Sequence, residues 1–262
     1  MTRLAVIGGV LLGAVAGLLA FAPAAWLADG VASATGQRLL LADARGTVWR
    51  GSAVAVLTGG EGSRDAAALP GRLEWTVGLS GRQIVLTARH ECCLNGVNGE
   101  LRLLIAPGIG GMKFTLPPAA GVRAQWPAGW LAGLGTPWNT LQLGGWLRLS
   151  SPGLALESVE GRWRFDGRAE LALDAISSRL STLPKLGAYR VNVAGTAATG
   201  DAGITLSTTE GPLQLSGSGQ WAAGRLRFRG EARAAEGAEA VLNNLLNLIG
   251  RRQGALSVIS IG

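Results

Sequence analysis

Few residues of this chain could bind a metal ion or carry out catalysis. The sequence contains one histidine and two cysteines, and all three stand together in His90-Glu91-Cys92-Cys93. Imidazole nitrogen and thiolate sulfur are ligands that zinc prefers, but a closed zinc site needs four ligands. Neighbouring side chains of a strand point to opposite faces, so these ligands converge only if the chain turns there. The Asn95-Gly96 pair that follows indicates a nearby turn.

Three fates are open for Cys92 and Cys93. A disulfide, either between the two neighbours or reshuffled, is expected if the domain is exported into an oxidising compartment. Free thiols and a metal site are the alternatives. Thiol titration of the denatured protein would separate the disulfide from the free thiols.

The sequence contains no catalytic motif of a familiar enzyme class. The zinc-protease, serine-hydrolase, Walker and dinucleotide-binding patterns are all absent from it. A single histidine also removes most catalytic triads. Glu157 and Glu160 could form a carboxylate pair, but acidic residues next to arginines are equally typical of a solvated strand face. We therefore expect no enzymatic activity and no cofactor.

The segment Leu4–Ala28 carries no formal charge. As a helix, its 25 residues would extend about 37 Å, against a hydrocarbon core of about 30 Å. We expect a transmembrane helix, with residues 1–3 in the cytoplasm and residues 29–262 exported, because Arg3 and the amino terminus precede it. The alternative is a cleaved signal peptide, which Ala20-Phe21-Ala22 would also fit.

Three glycines of this segment follow a four-residue spacing, Gly9, Gly13 and Gly17. That spacing places them on one face of a helix and permits close packing against another helix. We expect this face to be the one that contacts a neighbouring membrane helix, if the segment has such a neighbour.

The net charge of +7 comes almost entirely from arginines. They are scattered singly, and a tight basic block with interleaved aromatic residues is missing, so nucleic acid is not an expected partner. Two examples are the alternating arginines of residues 162–168 and 225–229. We expect them on the solvated faces of strands, with an anionic lipid surface or an acidic partner as the alternative.

The pattern of the exported part is that of antiparallel strands. Residues 71–77 alternate strictly, with Leu73, Trp75 and Val77 on one side, as in a half-buried strand. A Gly-x-Trp motif, or a close variant of it, recurs along the chain. It predicts tryptophans that pack in the core beside bends at glycine, and stacking on a ligand is the alternative interpretation. The tryptophans of this motif are Trp49, Trp146, Trp163 and Trp221.

The remaining elements complete a mainly β fold. Helical segments are predicted near 126–135, where Pro127 and Gly135 mark the ends, and over about 235–249, where the apolar spacing is that of an amphipathic helix. A strand is predicted over about 255–261. The expected architecture is one N-terminal transmembrane helix followed by a bent or coiled antiparallel β-sheet domain with short helices.

The chain resembles the type II secretion system protein N family. The resemblance is carried by ADARGTVWRG (42–51), STLPKLGAYRV (181–191), TTEGPLQLSGSGQW (208–221) and the closing residues 231–262. It extends over essentially the whole chain, but is weak between Glu91 and Pro137. Cys92 and Cys93 belong to no pattern of the family.

The resemblance implies an accessory component of the bacterial inner membrane, with one N-terminal span and a periplasmic domain. Its expected partners are other inner-membrane and periplasmic subunits of the machine that exports folded proteins across the outer membrane. A more distant similarity to AsmA-type proteins implies an alternative, a β-sheet groove that binds lipid or another apolar ligand. No enzymatic role, metal or cofactor follows from either resemblance.

Overall fold

The computed structural model describes most of the chain, namely residues 13–14, 17–94, 99–108, 111–159, 162–196, 198–222 and 225–262. Within these residues the dominant feature is a single antiparallel sheet of 16 strands. The prediction of a mainly β, antiparallel fold with few short helices is confirmed.

The strands follow one another along the chain with short connections. The first half of the sheet contains β1 (Leu39–Gly46), β2 (Arg50–Thr58), β3 (Ala66–Ala68), β4 (Leu73–Ser80), β5 (Gln83–His90), β6 (Glu100–Gly108), β7 (Gly111–Leu116) and β8 (Val122–Pro127). The second half contains β9 (Leu143–Val159), β10 (Arg162–Ser178), β11 (Gly187–Gly195), β12 (Ala202–Glu210), β13 (Leu213–Ala222), β14 (Arg225–Ala234), β15 (Arg251–Gln253) and β16 (Leu256–Ile261).

The spatial order of the strands is nearly the order of the sequence. It runs β1-β2-β4-β5-β6-β7-β9-β10-β11-β12-β13-β14-β16-β15, with β3 paired to β2 and β8 paired to β9 beside this path. Such an order needs only hairpins and short returns, which agrees with the many turn-forming glycines of the sequence.

After Pro23, four short helical segments are seen among the described residues. They are α1 (Ala24–Ala34), a 3-10 helix (Ala128–Leu134), α2 (Trp138–Leu141) and α3 (Glu239–Ile249). The 3-10 helix follows Pro127 and is followed by Gly135, whose φ is +79°, as the sequence indicated. None of the helices in the described part of the chain has the length and apolar character that a membrane crossing needs.

The predicted membrane segment Leu4–Ala28 lies largely outside the described residues. Its described end is not one continuous helix, because the helix of residues 17–20 gives way to a turn at Phe21 and α1 begins only after Pro23. Pro23 is extended, with φ −65° and ψ 146°. Proline disfavours helical conformation in the residue before it, which explains the break. The expectation of an uninterrupted helix to Ala28 is corrected accordingly.

Buried residues form three clusters on the sheet. At the β1 side, Ala24 of α1 packs with Leu41, Ala53 and Trp75. At the other side, leucines of α3 pack on β11, β13 and β14 in the largest cluster, which also includes Leu147, Ile176, Tyr189 and Leu213. The third cluster contains Ala55, Leu69 and Cys93. The helices thus cover the sheet near its two ends.

Candidate functional site

The histidine and both cysteines meet in one tight turn at the end of β5. The backbone N–H groups of Cys93 and Leu94 both donate to the carbonyl of His90, over 3.2 and 3.3 Å. Because the chain turns here, the three side chains converge instead of alternating. The Nδ1 atom of His90 lies 3.4 Å from the Sγ atom of Cys92, and the candidate ligand atoms of all three residues lie within 4.8 Å of one another.

Within the turn the two sulfur atoms lie at bonding distance from each other, as in a disulfide between neighbouring cysteines. Cys93 is buried against Ala55 and Leu69, with the side chains of Trp126 and Trp130 nearby. Cys92 is only half-buried. Solvent thus reaches one sulfur of the pair, while the other belongs to the core. The disulfide itself stays a prediction.

His90 is the buried polar residue of this turn, with 5% of its surface exposed. Burial lowers the pKa of its imidazole below the ordinary 6.5, and the charge of Glu91 partly opposes that change. Its Nε2 atom is buried without a hydrogen-bond partner among the described residues. A buried, neutral imidazole next to sulfur can serve as a ligand or as a proton acceptor.

Backbone bonds hold the turn against β8. The N–H of Gln125 donates to the carbonyl of Cys93 over 2.8 Å, and Leu94 forms an isolated bridge with Ala124. The side-chain amide of Gln125 also reaches the carbonyl of Cys92, at 3.4 Å. The position of the cysteines is therefore fixed from two strands.

A second candidate site is the corner where the N-terminal segment meets the sheet. The indole N–H of Trp49, in the turn between β1 and β2, donates to the carbonyl of Leu19 over 2.7 Å. The N–H of Val48 donates to the carbonyl of Ala22 over 2.8 Å, and Pro23 bridges to Thr47. The last helical residues before Phe21 are thereby attached to the first hairpin.

Large apolar side chains at this corner are exposed. Phe21 exposes 79% of its surface. The others are Leu18, Leu19, Trp26 and Trp49. A cluster of exposed apolar residues on a folded domain marks a site of contact with another protein or with a membrane.

The glycine face of the N-terminal segment is only partly described. Gly9 lies outside the described residues. At Gly13 and Gly17 an added Cβ atom would meet no atom within 4 Å, so the space beside each of these two glycines is open in the described structure. Its packing against another helix stays a prediction.

One face of the sheet is apolar along its length. The register places Trp75 opposite Ala88 and Ala88 opposite Leu101. The same face continues through Ile105, Phe114, Leu156 and Phe165, which lie in register across β6, β7, β9 and β10. It carries the predicted side chains Leu73 and Val77, so the alternation read from the sequence is confirmed. The helices pack on this same face.

The middle of that face belongs to none of the three buried clusters. We call this region the open apolar face and define it by half-buried side chains of β6, β7, β9 and β10, namely Leu103, Ile105, Phe114, Leu156 and Phe165. At its margin the ring of Trp163 stands 6.1 Å from that of Phe114, tilted by 34°, and 40% of Trp163 is exposed.

The opposite face of the sheet is polar. The arginines of residues 162–168 and 225–229 are exposed, as predicted from their alternation. Several arginines form ion pairs with neighbouring strands, such as Arg190 with Glu170 and Arg148 with Asp174, the latter at 2.5 Å. Glu157 lies in register with Lys113 and Arg164, while Glu160 lies outside the described residues. No acid–base carboxylate pair is seen among the residues that the structure describes.

The Gly-x-Trp tryptophans depart from the prediction that they fill the core. All four expose between 40% and 47% of their surfaces, namely Trp49, Trp146, Trp163 and Trp221. Three of them, Trp49, Trp163 and Trp221, stand at the turn ends of strands. The buried tryptophan is instead Trp75, which the alternation of residues 71–77 identified.

The fold and these sites describe a single-sheet domain with an open apolar face, attached to an apolar N-terminal segment. The chain belongs to the family of the type II secretion system, protein N, whose family model matches residues 37–258. Comparison with curated proteins and with solved structures gives no significant match. Family membership indicates a component of type II secretion.

Proposed function

We propose that this protein is an accessory inner-membrane component of the type II secretion system that supports assembly or function of the machine by binding other subunits. The N-terminal segment anchors it, with the amino terminus in the cytoplasm. The sheet domain lies in the periplasm and provides the binding surface. Neither a catalytic step nor a cofactor is part of this proposal.

The observation that carries the proposal is the open apolar face. Helices α1 and α3 bury the sheet near its two ends, yet Phe114, Leu156 and Phe165 between them belong to neither cluster and are only half-buried. Apolar surface that stays in contact with water is costly, and a partner that covers it removes this cost. Aromatic side chains such as Phe114 and Trp163 are typical anchors of protein interfaces.

The corner at Trp49 supports the membrane attachment. A span that ends at Ala20 instead of Ala28 would contain the apolar residues from Leu4 onward and extend about 26 Å, near the lower limit for a membrane helix. Phe21, Trp26 and Trp49 would then lie at the level of the lipid headgroups, where tryptophan is enriched. The bonds from Trp49 and Val48 to Leu19 and Ala22 would hold the sheet close to the bilayer.

The test compares two neighbouring positions of β7. Phe114 points to the open apolar face and Lys113 points to the polar face, in register with Glu157. Phe114→Arg places a charge in the proposed interface, whereas Lys113→Glu changes the charge on the opposite side. Each variant replaces the natural protein in cells, and secretion of a folded substrate and co-purification of other secretion subunits are measured.

We expect Phe114→Arg to reduce co-purification about tenfold or more, since loss of an aromatic anchor costs about 2 kcal/mol. Lys113→Glu should leave it nearly unchanged. Equal levels of the two variants in the membrane and similar circular dichroism spectra serve as the folding control. Normal secretion and normal co-purification with Phe114→Arg would contradict the proposal.

A second function is favoured by the chemistry of the open apolar face. Its defining side chains are all aliphatic or aromatic, Leu103, Ile105, Phe114, Leu156 and Phe165, which is what an acyl chain needs from a binding groove. The face could therefore bind lipid, as the AsmA resemblance implies. Native mass spectrometry in mild detergent separates the two functions: lipid bound to the natural protein and lost from Phe114→Arg, with subunit binding intact, would favour the lipid groove.

A further inference from the structure

We propose that the turn from His90 to Cys93, in its reduced form, binds a thiophilic metal cation, Zn²⁺, and that the Cys92–Cys93 disulfide closes this site. The ligands are Nδ1 of His90 and the two sulfur atoms. This inference concerns a different part of the molecule from the open apolar face and does not depend on the proposed function.

The geometry of the turn carries the inference. The three ligand atoms lie within 4.8 Å of one another. Two ligands at about 2.0 and 2.3 Å from a tetrahedral zinc ion lie roughly 3.5 Å apart. Nδ1 of His90 and Sγ of Cys92 are separated by 3.4 Å, so this pair already has the spacing that a shared ion requires.

The surroundings keep the ligands in place and leave room beside the ring. Residue 71 is a glycine, and a Cβ atom there would lie only 3.3 Å from Cε1 of His90. The absence of a side chain at Gly71 therefore leaves space beside the imidazole ring. The carbonyls of Cys92 and Cys93 both accept hydrogen bonds from Gln125. Ligands that two strands position in this way lose little conformational freedom when the ion binds. The half-exposed Cys92 gives the ion a path from solvent.

The ligand set matches the proposed cation. Two thiolates and a neutral imidazole are soft ligands that select zinc over calcium or magnesium. Three protein ligands leave one coordination position for water, an arrangement found at zinc sites that are open to a further ligand.

Opening the site is a reduction. A protein dithiol attacks one sulfur of the Cys92–Cys93 bond and supplies two electrons and two protons, so the bond breaks, two thiols form on this chain, and the dithiol becomes a disulfide. Binding of Zn²⁺ then releases the two thiol protons to water. Reoxidation by a protein disulfide, which takes up two electrons from the thiolates and two protons from water and becomes a dithiol, joins the sulfur atoms of Cys92 and Cys93. This removes two of the three ligands and expels the ion.

The experiment uses the full chain in detergent, reduced with a phosphine, and Zn²⁺ as the probe. Competition with a chelating dye measures zinc binding, and thiol counting reports the redox state. We expect one Zn²⁺ per reduced chain and affinity at least about tenfold weaker in the oxidised protein, which has lost two ligands. Cys92→Ser and Cys93→Ser should abolish this binding, and His90→Gln should weaken it about tenfold or more.

The matched control is Gln83→Ala, which alters an exposed residue at the other end of β5 and should leave zinc affinity unchanged. Co²⁺ bound to the reduced natural protein should show thiolate-to-cobalt charge-transfer absorption, a readout that does not depend on any variant folding. Absence of that absorption, or zinc binding that persists in Cys92→Ser and Cys93→Ser, would overturn the proposal.

Discussion

Replacement of Leu242 by alanine tests how strongly α3 is bound to the sheet. Leu242 has no exposed surface and packs in the largest cluster with Leu245 and Leu246 of the same helix. The change removes three buried carbon atoms, which costs about 2.4 kcal/mol in transfer free energy. A cavity that does not collapse raises the cost toward about 5 kcal/mol.

A loss of about 3 kcal/mol lowers the melting temperature of a domain of this size by roughly 6 to 12 °C. Thermal unfolding of the full chain in detergent, followed by circular dichroism, measures this shift. Leu248→Ala on the same helix is the control, since Leu248 exposes 46% of its surface, and its effect should be below about 1 kcal/mol. Equal shifts for the two variants would refute the packing of α3 on the apolar face.

Three further predictions concern separate parts of the molecule. Because burial lowers the pKa of His90 below 6.5, the folded state favours neutral imidazole. The stability that burial of neutral His90 contributes is therefore complete above pH 6.5, the pKa of the unfolded state, and is lost as the pH falls from there through the lower pKa of the folded state. His90→Gln should flatten the fall of the melting temperature over this acidic range. Arg123 is buried and donates hydrogen bonds to the carbonyls of Ser151 and Pro117, so Arg123→Met should lower the free energy of unfolding by about 2 to 4 kcal/mol. The control Arg102→Met, at an exposed position, should lower it by less than about 0.5 kcal/mol. Equal urea midpoints for the two variants would contradict this prediction. In vesicles with brominated acyl chains, Trp49→Phe should lower the quenched fraction of tryptophan fluorescence. Trp138→Phe should not, because Trp138 lies beyond the far end of β2, roughly 27 Å away along the strand. Equal effects of the two variants would contradict the placement of the Trp49 corner at the membrane.

The alternation of side chains was the part of the fold that the sequence could predict. Strict alternation at Leu73, Trp75 and Val77 indicates a strand with one apolar face, and the register carries that face to Phe114 and Leu156. Local pattern is enough here because the period of a strand is two residues wherever it pairs. The sequence could not tell which part of the face the helices cover, since that depends on contacts between distant segments.

The tryptophans show why composition alone misleads. A tryptophan beside glycine fits a bent sheet equally well at its centre and at its turns. Trp75 lies in the interior of its strand under α1 and is buried, whereas Trp163 and Trp221 stand near the turn ends of strands and are exposed. The distinction is one of position in the sheet, which local sequence does not contain.

In the two candidate sites as well, the local sequence predicts some features, whereas others depend on contacts between distant segments. His90, Cys92 and Cys93 could be picked out because they are adjacent, but their convergence depends on the turn that β8 supports through Gln125. The break at Pro23 could have been read from the proline, since it restricts Ala22. The attachment of Trp49 to Leu19, 30 residues earlier, is a long-range contact that only the folded structure reveals.

The most direct test of the central claim places a photoreactive amino acid at position 114 or at position 113 of the protein in intact cells. Both positions lie on β7, and they point to opposite faces of the sheet. The account predicts crosslinks to another subunit of the secretion system from position 114 and few or none from position 113. Equal crosslinking from the two positions, or crosslinks from position 114 to lipid alone, would contradict the claim that the open apolar face binds a protein partner.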